Sequence, residues 1–127
     1  MTLPPFELSK HPADAYQQAR ALLEGSAPLK ALEILGPALE AEPTSASLRT
    51  LRAWAYFQSA QLHKAEADLR LLVDRDPTDV WSRFTLGRVL ERQSRYADAL
   101  PHLRLAAVMS GDTEHEAGVQ RCERKLS

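Results

Sequence analysis

Apolar residues recur at three- and four-residue intervals along most of the chain, which is the spacing of one face of an α-helix. Breaks that contain Pro, Gly or Ser divide this pattern into short segments. No segment alternates apolar and polar residues over a useful length, so no strand is expected. The pattern predicts helices over about residues 12–24, 27–42, 46–59, 62–75, 80–93, 96–109 and 114–125.

Small residues stand 34 positions apart at Ala31, Ala65 and Ala99, and other columns follow the same period. These are Ala19, Ala53 and Gly87; Leu22, Tyr56 and Leu90; Leu35, Leu69 and Leu103; and Pro43, Pro77 and Gly111. A fixed period of this length indicates stacked supersecondary units. Small residues suit positions where helices approach closely, and a larger side chain there costs about 1–3 kcal/mol. The columns therefore predict helix-turn-helix repeats with leucines between them.

The predicted organisation is an arm followed by one domain. Residues 1–11 carry Pro4 and Pro5 with apolar Phe6 and Leu8, and we expect an extended arm there. The domain covers residues 12–127, with repeats at about 12–45, 46–79 and 80–113 and a capping helix at about 114–125.

Three local features are expected within the domain. Ser26, followed by Pro28, is a candidate N-cap for the second helix. Gly36 and Pro37 predict a kink in that helix. The capping helix is expected to turn one apolar face to the last repeat, formed by Ala117, Val119, Cys122 and Leu126.

The composition is that of an ordinary globular protein, with 44% hydrophobic and 26% charged residues among 127. The net charge of -1 offers no basic excess, so neither nucleic acid nor a membrane surface is an expected partner. The first residues lack the basic start and apolar run of a secretory signal, which favours a cytoplasmic location. Arg is more frequent than Lys, a bias common in GC-rich bacteria.

Residues for catalysis or metal binding do not cluster in the sequence. The histidines are scattered without ligand spacing, and each is expected on the surface: His11, His63, His102 and His115. Cys122 is interpreted as a small buried apolar residue. No Gly-rich phosphate loop, nucleophile elbow or HExxH motif is present. We therefore expect no catalytic site, no metal, no cofactor and no enzymatic activity.

The repeated columns resemble the tetratricopeptide repeat. The third unit matches best, with Leu86, Gly87, Leu90, Tyr96, Ala99, Leu103 and Ala106 at the family's spacing. The second keeps Ala53, Tyr56, Ala65, Leu69 and Pro77 but has Arg52 where the family prefers Leu. The resemblance implies an all-α fold: a right-handed superhelical solenoid of three helix-turn-helix repeats with a C-terminal capping helix.

In this family the first helices of the units line a concave groove that holds a peptide or a partner helix. Carried over by position, the groove candidates are Tyr16, Arg20, Trp54, Phe57, Trp81, Phe84 and Arg88. The alternative is that some of these aromatic side chains pack between helices instead. Some members bind chaperone tails through a Lys/Asn clamp, but the corresponding positions here are Tyr16, Arg20, Leu51, Trp81 and Thr85. Chaperone tails are therefore not the expected ligand.

The resemblance implies a non-enzymatic scaffold or adaptor that binds a protein or peptide in an aromatic and arginine groove. One alternative is a small secretion-type chaperone that shields an apolar partner segment, with Phe6 and Leu8 as a placeholder in its own groove or a neighbour's. Another is a non-catalytic regulatory subunit of an enzyme. The expected state is a monomer or a weak homodimer.

Overall fold

The structure is a computed structural model, and it describes residues 2–3 and 13–127. The predicted extended arm falls mostly outside the described residues. Within the described part of the chain every regular element is an α-helix, as predicted, and each begins and ends within two residues of its expected bounds. The helices are α1 (Ala13–Glu24), α2 (Pro28–Ala41), α3 (Ala46–Gln58), α4 (Leu62–Arg75), α5 (Val80–Arg92), α6 (Tyr96–Ser110) and α7 (Thr113–Leu126).

The chain divides into two compact units, Met1–Asp68 and Leu69–Ser127. In the first unit α1 packs on α2 and α3, and α2 packs on α3. In the second unit α6 packs between α5 and α7, and α5 also contacts α7. Each unit thus has its own set of helix contacts.

The small residues of the repeat columns are buried as predicted. In the first unit the side chains of Ala19, Ala31 and Ala65 are wholly inaccessible to solvent. Leu35 and Leu51 fill the core around them, and burying a leucine side chain contributes about 1.5–3 kcal/mol. The close approach of the helices therefore has the physical basis that the columns suggested.

Gly87 occupies the equivalent small position in the second unit. A β-carbon added to it would lie 2.6 Å from Cδ2 of Leu103 and 2.7 Å from its Cγ. Gly118 of α7 approaches the same leucine, since a β-carbon there would lie 3.4 Å from Cδ2 of Leu103. Leu103 is fully buried, so two glycines allow three helices to meet around one side chain.

The turn between the two helices of each repeat has one geometry, and it corrects the expectation for Ser26. Ser26, Ala60 and Ser94 occupy the same position of successive repeats and have positive φ angles of 58°, 58° and 60°. In the first turn Ser26 N–H donates to Leu23 O at 3.0 Å and Ala27 N–H donates to Leu22 O at 2.8 Å. This is the Schellman arrangement that ends a helix. Ser26 therefore ends α1 instead of capping α2, whose N-cap is Ala27 without a side-chain hydrogen bond.

The first helix of a repeat begins with a side-chain cap at a repeated position. Ser45 Oγ accepts from Leu48 N–H at 3.2 Å, and Asp79 Oδ1, at the same position of the next repeat, accepts from Ser82 N–H at 3.2 Å. Such caps satisfy backbone N–H groups that have no partner inside the helix. Within repeat 1, α2 continues through Pro37 as one helix. The kink there stays a prediction.

The buried face of α7 differs from the predicted one. His115, Gly118 and Cys122 are buried, whereas Leu126 is half-exposed and Ala117 is exposed. Val119 is half-buried. The helix turns Gly118 toward Leu103, and a β-carbon on this glycine would lie 3.4 Å from Leu103 Cδ2. This rotation buries His115 and leaves Ala117 in solvent.

Candidate partner-binding surfaces

In the first unit, α1 carries Tyr16, Arg20 and Glu24 at four-residue spacing. Arg20 Nη1 donates to Tyr16 Oη at 3.3 Å, and Arg20 Nε donates to Glu24 Oε1 at 3.0 Å. Tyr16 is only 5% exposed and belongs to the hydrophobic core of this unit. Its hydroxyl therefore positions Arg20, and its ring offers little surface to a partner.

Trp54 and Phe57 form a stacked aromatic pair on α3. Their ring centroids lie 5.3 Å apart and their planes differ by 8°. Both side chains are half-buried, and Trp54 packs against the core cluster that contains Tyr16. Gln58 Nε2 donates to Leu23 O at 3.1 Å and links α3 to α1 beside the pair. We call Arg20, Trp54 and Phe57 the first aromatic surface.

In the second unit, Trp81 and Arg88 are seven residues apart on α5 and lie on one face of that helix. Both are half-buried. Trp81 O accepts a hydrogen bond from Thr85 Oγ1 at 2.6 Å, and Arg88 Nη1 donates to Glu91 Oε1 at 2.8 Å. We call Trp81 and Arg88 the second aromatic surface.

Phe84 does not belong to either surface, contrary to the sequence-based assignment. Its side chain is 1% exposed, and its ring stacks on the imidazole of His115 with centroids 4.0 Å apart. His115 Nδ1 lies 2.6 Å from Ser110 Oγ and 3.3 Å from Ala106 O. The prediction of a surface His115 is therefore wrong, because this imidazole packs against α5 and bonds to α6. Phe84 and His115 hold α7 in place.

Glu91 joins α5 to α7 through two arginines. It accepts from Arg88 Nη1 at 2.8 Å and from Arg121 Nε and Nη2 at 2.8 and 3.2 Å. Burial acts to raise the pKa of Glu91, but the hydrogen bonds from Arg121 and Arg88 outweigh it and the pKa is lowered. Arg88 is thus held in place by an ion pair before any partner arrives.

Asp68 is a buried carboxylate that the sequence reasoning did not identify. Its side chain is 4% exposed, and it accepts from Arg49 Nη1 at 3.0 Å and from Arg52 Nε and Nη2 at 2.8 and 2.7 Å. The hydrogen bond to Asp68 raises the pKa of Arg52, against the effect of burial. The sequence does carry a signal for this ion pair, which is Arg52 at a position where the family prefers Leu. A cation at a normally apolar position of the repeat needs a carboxylate nearby.

The other candidate chemistry gives no further site in the described part of the chain. No group of three or more His, Cys, Asp or Glu residues there could hold a metal ion. None of the described helices is long and apolar enough to cross a membrane. Cys122 is fully buried as predicted, and burial raises the pKa of its thiol. His63 is exposed as predicted, and His102 is half-buried.

Comparisons with known proteins identify the fold. No family model matches the chain, and no curated protein matches it. Solved structures do match. The TPR domain of Arabidopsis OM64 has a TM-score of 0.80 and 21% identity, covering 87% of this chain and 92% of its own. The TPR domain of Sgt2 from Aspergillus fumigatus has a TM-score of 0.82 and 22% identity, with coverages of 97% and 85%.

A third matching structure is the first TPR of Spaghetti (RPAP3) bound to the HSP90 peptide SRMEEVD. It has a TM-score of 0.80 and 17% identity and covers 88% of this chain and 92% of its own. The helix pairs α1–α2, α3–α4 and α5–α6, followed by α7, agree with three repeats and a cap. The chain therefore has the all-α fold of a tetratricopeptide repeat domain.

Proposed function

We propose that this chain is a non-enzymatic interaction scaffold that binds a peptide or helix of a partner protein. The fold supports this proposal because tetratricopeptide repeat domains of similar structure include one bound to a peptide. The observation that carries it is the half-buried stacked pair of Trp54 and Phe57 in the same unit as Arg20. Trp, Tyr and Arg are the residues that dominate binding energy at protein interfaces.

The first aromatic surface is preorganised for binding. The stacking of Trp54 on Phe57 restricts both rings, so a partner that covers them orders few additional rotamers. The bonds of Arg20 to Tyr16 and Glu24 fix the guanidinium in the same way. Because Glu24 offsets the charge of Arg20, the favoured ligand is an apolar side chain on the rings with a polar acceptor at Arg20.

The second aromatic surface is proposed as a separate contact. Trp81 supplies the apolar area, and Arg88 is held by Glu91. Phe84 is not part of the proposal, since it is buried. Each surface is therefore tested by its own tryptophan.

A chaperone tail is not the proposed ligand. The neighbour named above binds an HSP90 peptide, but two of the corresponding clamp positions in this chain are Leu51 and Thr85. Leu51 is 1% exposed, and Thr85 is fully buried with its hydroxyl donating to Trp81 O. Neither side chain can donate to a terminal carboxylate. A cytoplasmic location stays a prediction from the sequence.

Affinity capture from the native cell extract tests the proposal. The wild-type chain should retain a defined protein, and at least one of the two single variants Trp54→Ala and Trp81→Ala should lose it. The helical circular dichroism of both variants should be unchanged. Leu29→Ala is the matched control, since Leu29 is 64% exposed on α2 and outside both surfaces. Equal capture by the wild type and both tryptophan variants would contradict the proposal.

A small chaperone that shields an apolar partner segment is a second candidate function, because Leu3 packs against the core cluster of the first unit. The start of the chain could act there as a placeholder that a partner displaces. Phe6 and Leu8, the residues first suggested for this role, lie outside the described residues. Deleting residues 1–11 should increase the binding of an apolar dye and change the mass measured by light scattering if the arm is exchanged between copies. If the deletion variant binds the dye as the wild type does and has the mass expected from the deletion alone, residues 1–11 do not act as a placeholder.

A further inference from the structure

Two repeats hold an equivalent arginine in the same way but give it different partners. In the first unit Arg49 Nη2 donates to Pro43 O at 2.9 Å, and Nη1 donates to the Asp68 carboxylate at 3.0 Å. In the second unit Arg83, at the same repeat position, donates from Nη2 to Pro77 O at 3.0 Å. Its Nη1 lies 3.4 Å from Nδ1 of His102, which stands where the first unit has Asp68. The hydrogen bond from the arginine to a proline carbonyl is thus the same in both units. The carboxylate of Asp68 in the first unit is replaced by the imidazole of His102 in the second.

A cavity of about 410 Å³ lies beside this pair in the second unit. Its polar lining includes Arg70, Asp74, Arg83 and His102. Arg83 Nε is buried and has no hydrogen-bond partner within the described structure. Arg83 as a whole is half-buried and its Nη2 donates to Pro77 O, but a buried N–H group without an acceptor is unfavourable.

The charges that face His102 come from three helices and are mainly positive. Burial lowers the pKa of His102, Arg83 of α5 and Arg70 of α4 lower it further, and Asp98 of α6 opposes them. Among the described residues that line the cavity, Asp74 of α4 is the one acidic residue. Asp74 is exposed, and Asp98 is 3.3 Å from the Arg95 guanidinium. Neither takes the place that Asp68 holds against Arg49 in the first unit.

We propose that this cavity binds the carboxylate of an Asp or Glu side chain from a partner protein. The carboxylate would accept from Arg83 Nη1, as Asp68 accepts from Arg49 Nη1, and from a protonated His102. The inference deepens the proposed function, because it adds an acidic residue to the chemistry of the partner. Arg83 and Trp81 lie on opposite faces of α5, since two residues turn a helix by about 200°. The carboxylate site is thus separate from the second aromatic surface.

Acetate is the probe, and the Nε–H resonance of Arg83 in the full chain is the readout. Acetate should shift that resonance saturably, while chloride at equal ionic strength should not. Acetate should also raise the pKa of His102, measured from its ring C–H resonances, because a bound anion stabilises the imidazolium. Arg49 is an internal reference, since Asp68 already pairs with it and its resonance should stay constant.

Two variants of one position give the matched comparison. His102→Asp supplies a carboxylate from within the chain and should abolish the acetate response of Arg83. His102→Asn introduces a side chain of nearly the same size as aspartate but without its charge. This variant should keep an acetate response of Arg83 that is weaker than that of the wild type. Circular dichroism verifies that both variants fold. An acetate response as strong in His102→Asp as in the wild type, or none in the folded wild type, would overturn the proposal.

The outcomes separate this site from the proposed function. If tryptophan variants lose the partner while acetate leaves Arg83 unchanged, the scaffold function stands and the carboxylate site is wrong. If inorganic phosphate shifts Arg83 and acetate does not, the cavity does not bind a carboxylate. The acetate experiment needs no partner protein, so it gives a result even if capture fails.

Discussion

Leu103 of α6 packs directly over the α-carbon of Gly87 in α5, leaving no room for a side chain at the glycine. An added β-carbon would lie within 2.7 Å of two Leu103 atoms and 3.4 Å from its backbone nitrogen. Leu103 is fully buried and also packs beside Gly118, so it has little freedom to move. The two helices of the third repeat therefore approach closely at Gly87.

Gly87→Ala is expected to destabilise the protein. Overpacking costs about 1–3 kcal/mol, and the better helix propensity of alanine, about 1 kcal/mol, offsets only part of it. Urea unfolding followed by circular dichroism gives the free energy of unfolding. Gly36→Ala is the control, because nothing lies within 4 Å of a β-carbon there. Alanine has a higher helix propensity than glycine, but Pro37 disfavours the helical conformation of a residue with a β-carbon at position 36. These two effects on the free energy of unfolding should nearly cancel. Equal losses at both positions would contradict the close approach at Gly87.

Ala60→Gly is expected to stabilise the protein by about 1 kcal/mol. Ala60 has a φ of 58°, a conformation that costs a residue with a β-carbon about 1–2 kcal/mol and that glycine adopts freely. Thermal and urea unfolding both measure the change. Ala67→Gly, at an exposed position inside α4, should instead lower the stability by about 1 kcal/mol. If the two glycine variants change the stability in the same direction, the turn geometry is wrong.

Asp68→Asn is expected to lower the free energy of unfolding by about 3 kcal/mol. The substitution leaves Arg49 and Arg52 close together without their carboxylate. Removing one member of a buried ion pair is destabilising because the remaining charges are left without a counter-charge. Asp98→Asn removes an exposed carboxylate paired with Arg95 and should cost less than about 1 kcal/mol. Urea unfolding of both variants at neutral pH makes the comparison. A loss at Asp68 no larger than that at Asp98 would mean that the buried network stabilises the protein no more than an exposed ion pair does.

The ion pairs of Glu91 should make stability depend on acid pH. The pKa of Glu91 in the folded protein is below its ordinary value of 4.5. The contribution of Glu91 to the free energy of unfolding is therefore complete above pH 4.5, and it is lost as the pH falls through the lower pKa of the folded protein. Glu91→Gln should therefore destabilise the protein at pH 7 by about 1.5–3 kcal/mol and differ less from the wild type in acid. Unfolding measured across the acid range tests this. Glu24→Gln, a 62% exposed control, should show little change at any pH.

The sequence predicted the helices well because their boundaries depend on local signals. The repeat period, the prolines after α2 and α4 and the apolar spacing all act within a few residues of each boundary. The buried alanines were predicted for the same reason, since a small residue repeated in phase marks a helix contact. The caps at Ser45 and Asp79 repeat with the same period and could have been found in that way.

The candidate surfaces were harder to predict because burial depends on which side of a helix meets its neighbours. Phe84 was assigned to the surface and is buried, since α7 places His115 over its ring. In the observed orientation of α7, Gly118 lies against Leu103, which is a contact between residues on different helices. Hydrophobicity alone favoured Ala117 and gave no reason to bury His115. Exposure of Trp54 and Trp81 likewise depends on packing.

The most direct test of the scaffold proposal is the affinity of the captured partner segment for variants of Trp54. Isothermal titration should give a Kd for the wild type that Leu29→Ala leaves unchanged and that Trp54→Phe weakens only modestly, since phenylalanine can still stack on Phe57. For Trp54→Ala we predict a loss of at least about 30-fold, the effect of an interface hot spot worth about 2 kcal/mol or more. An unchanged Kd for a folded Trp54→Ala variant would contradict the account.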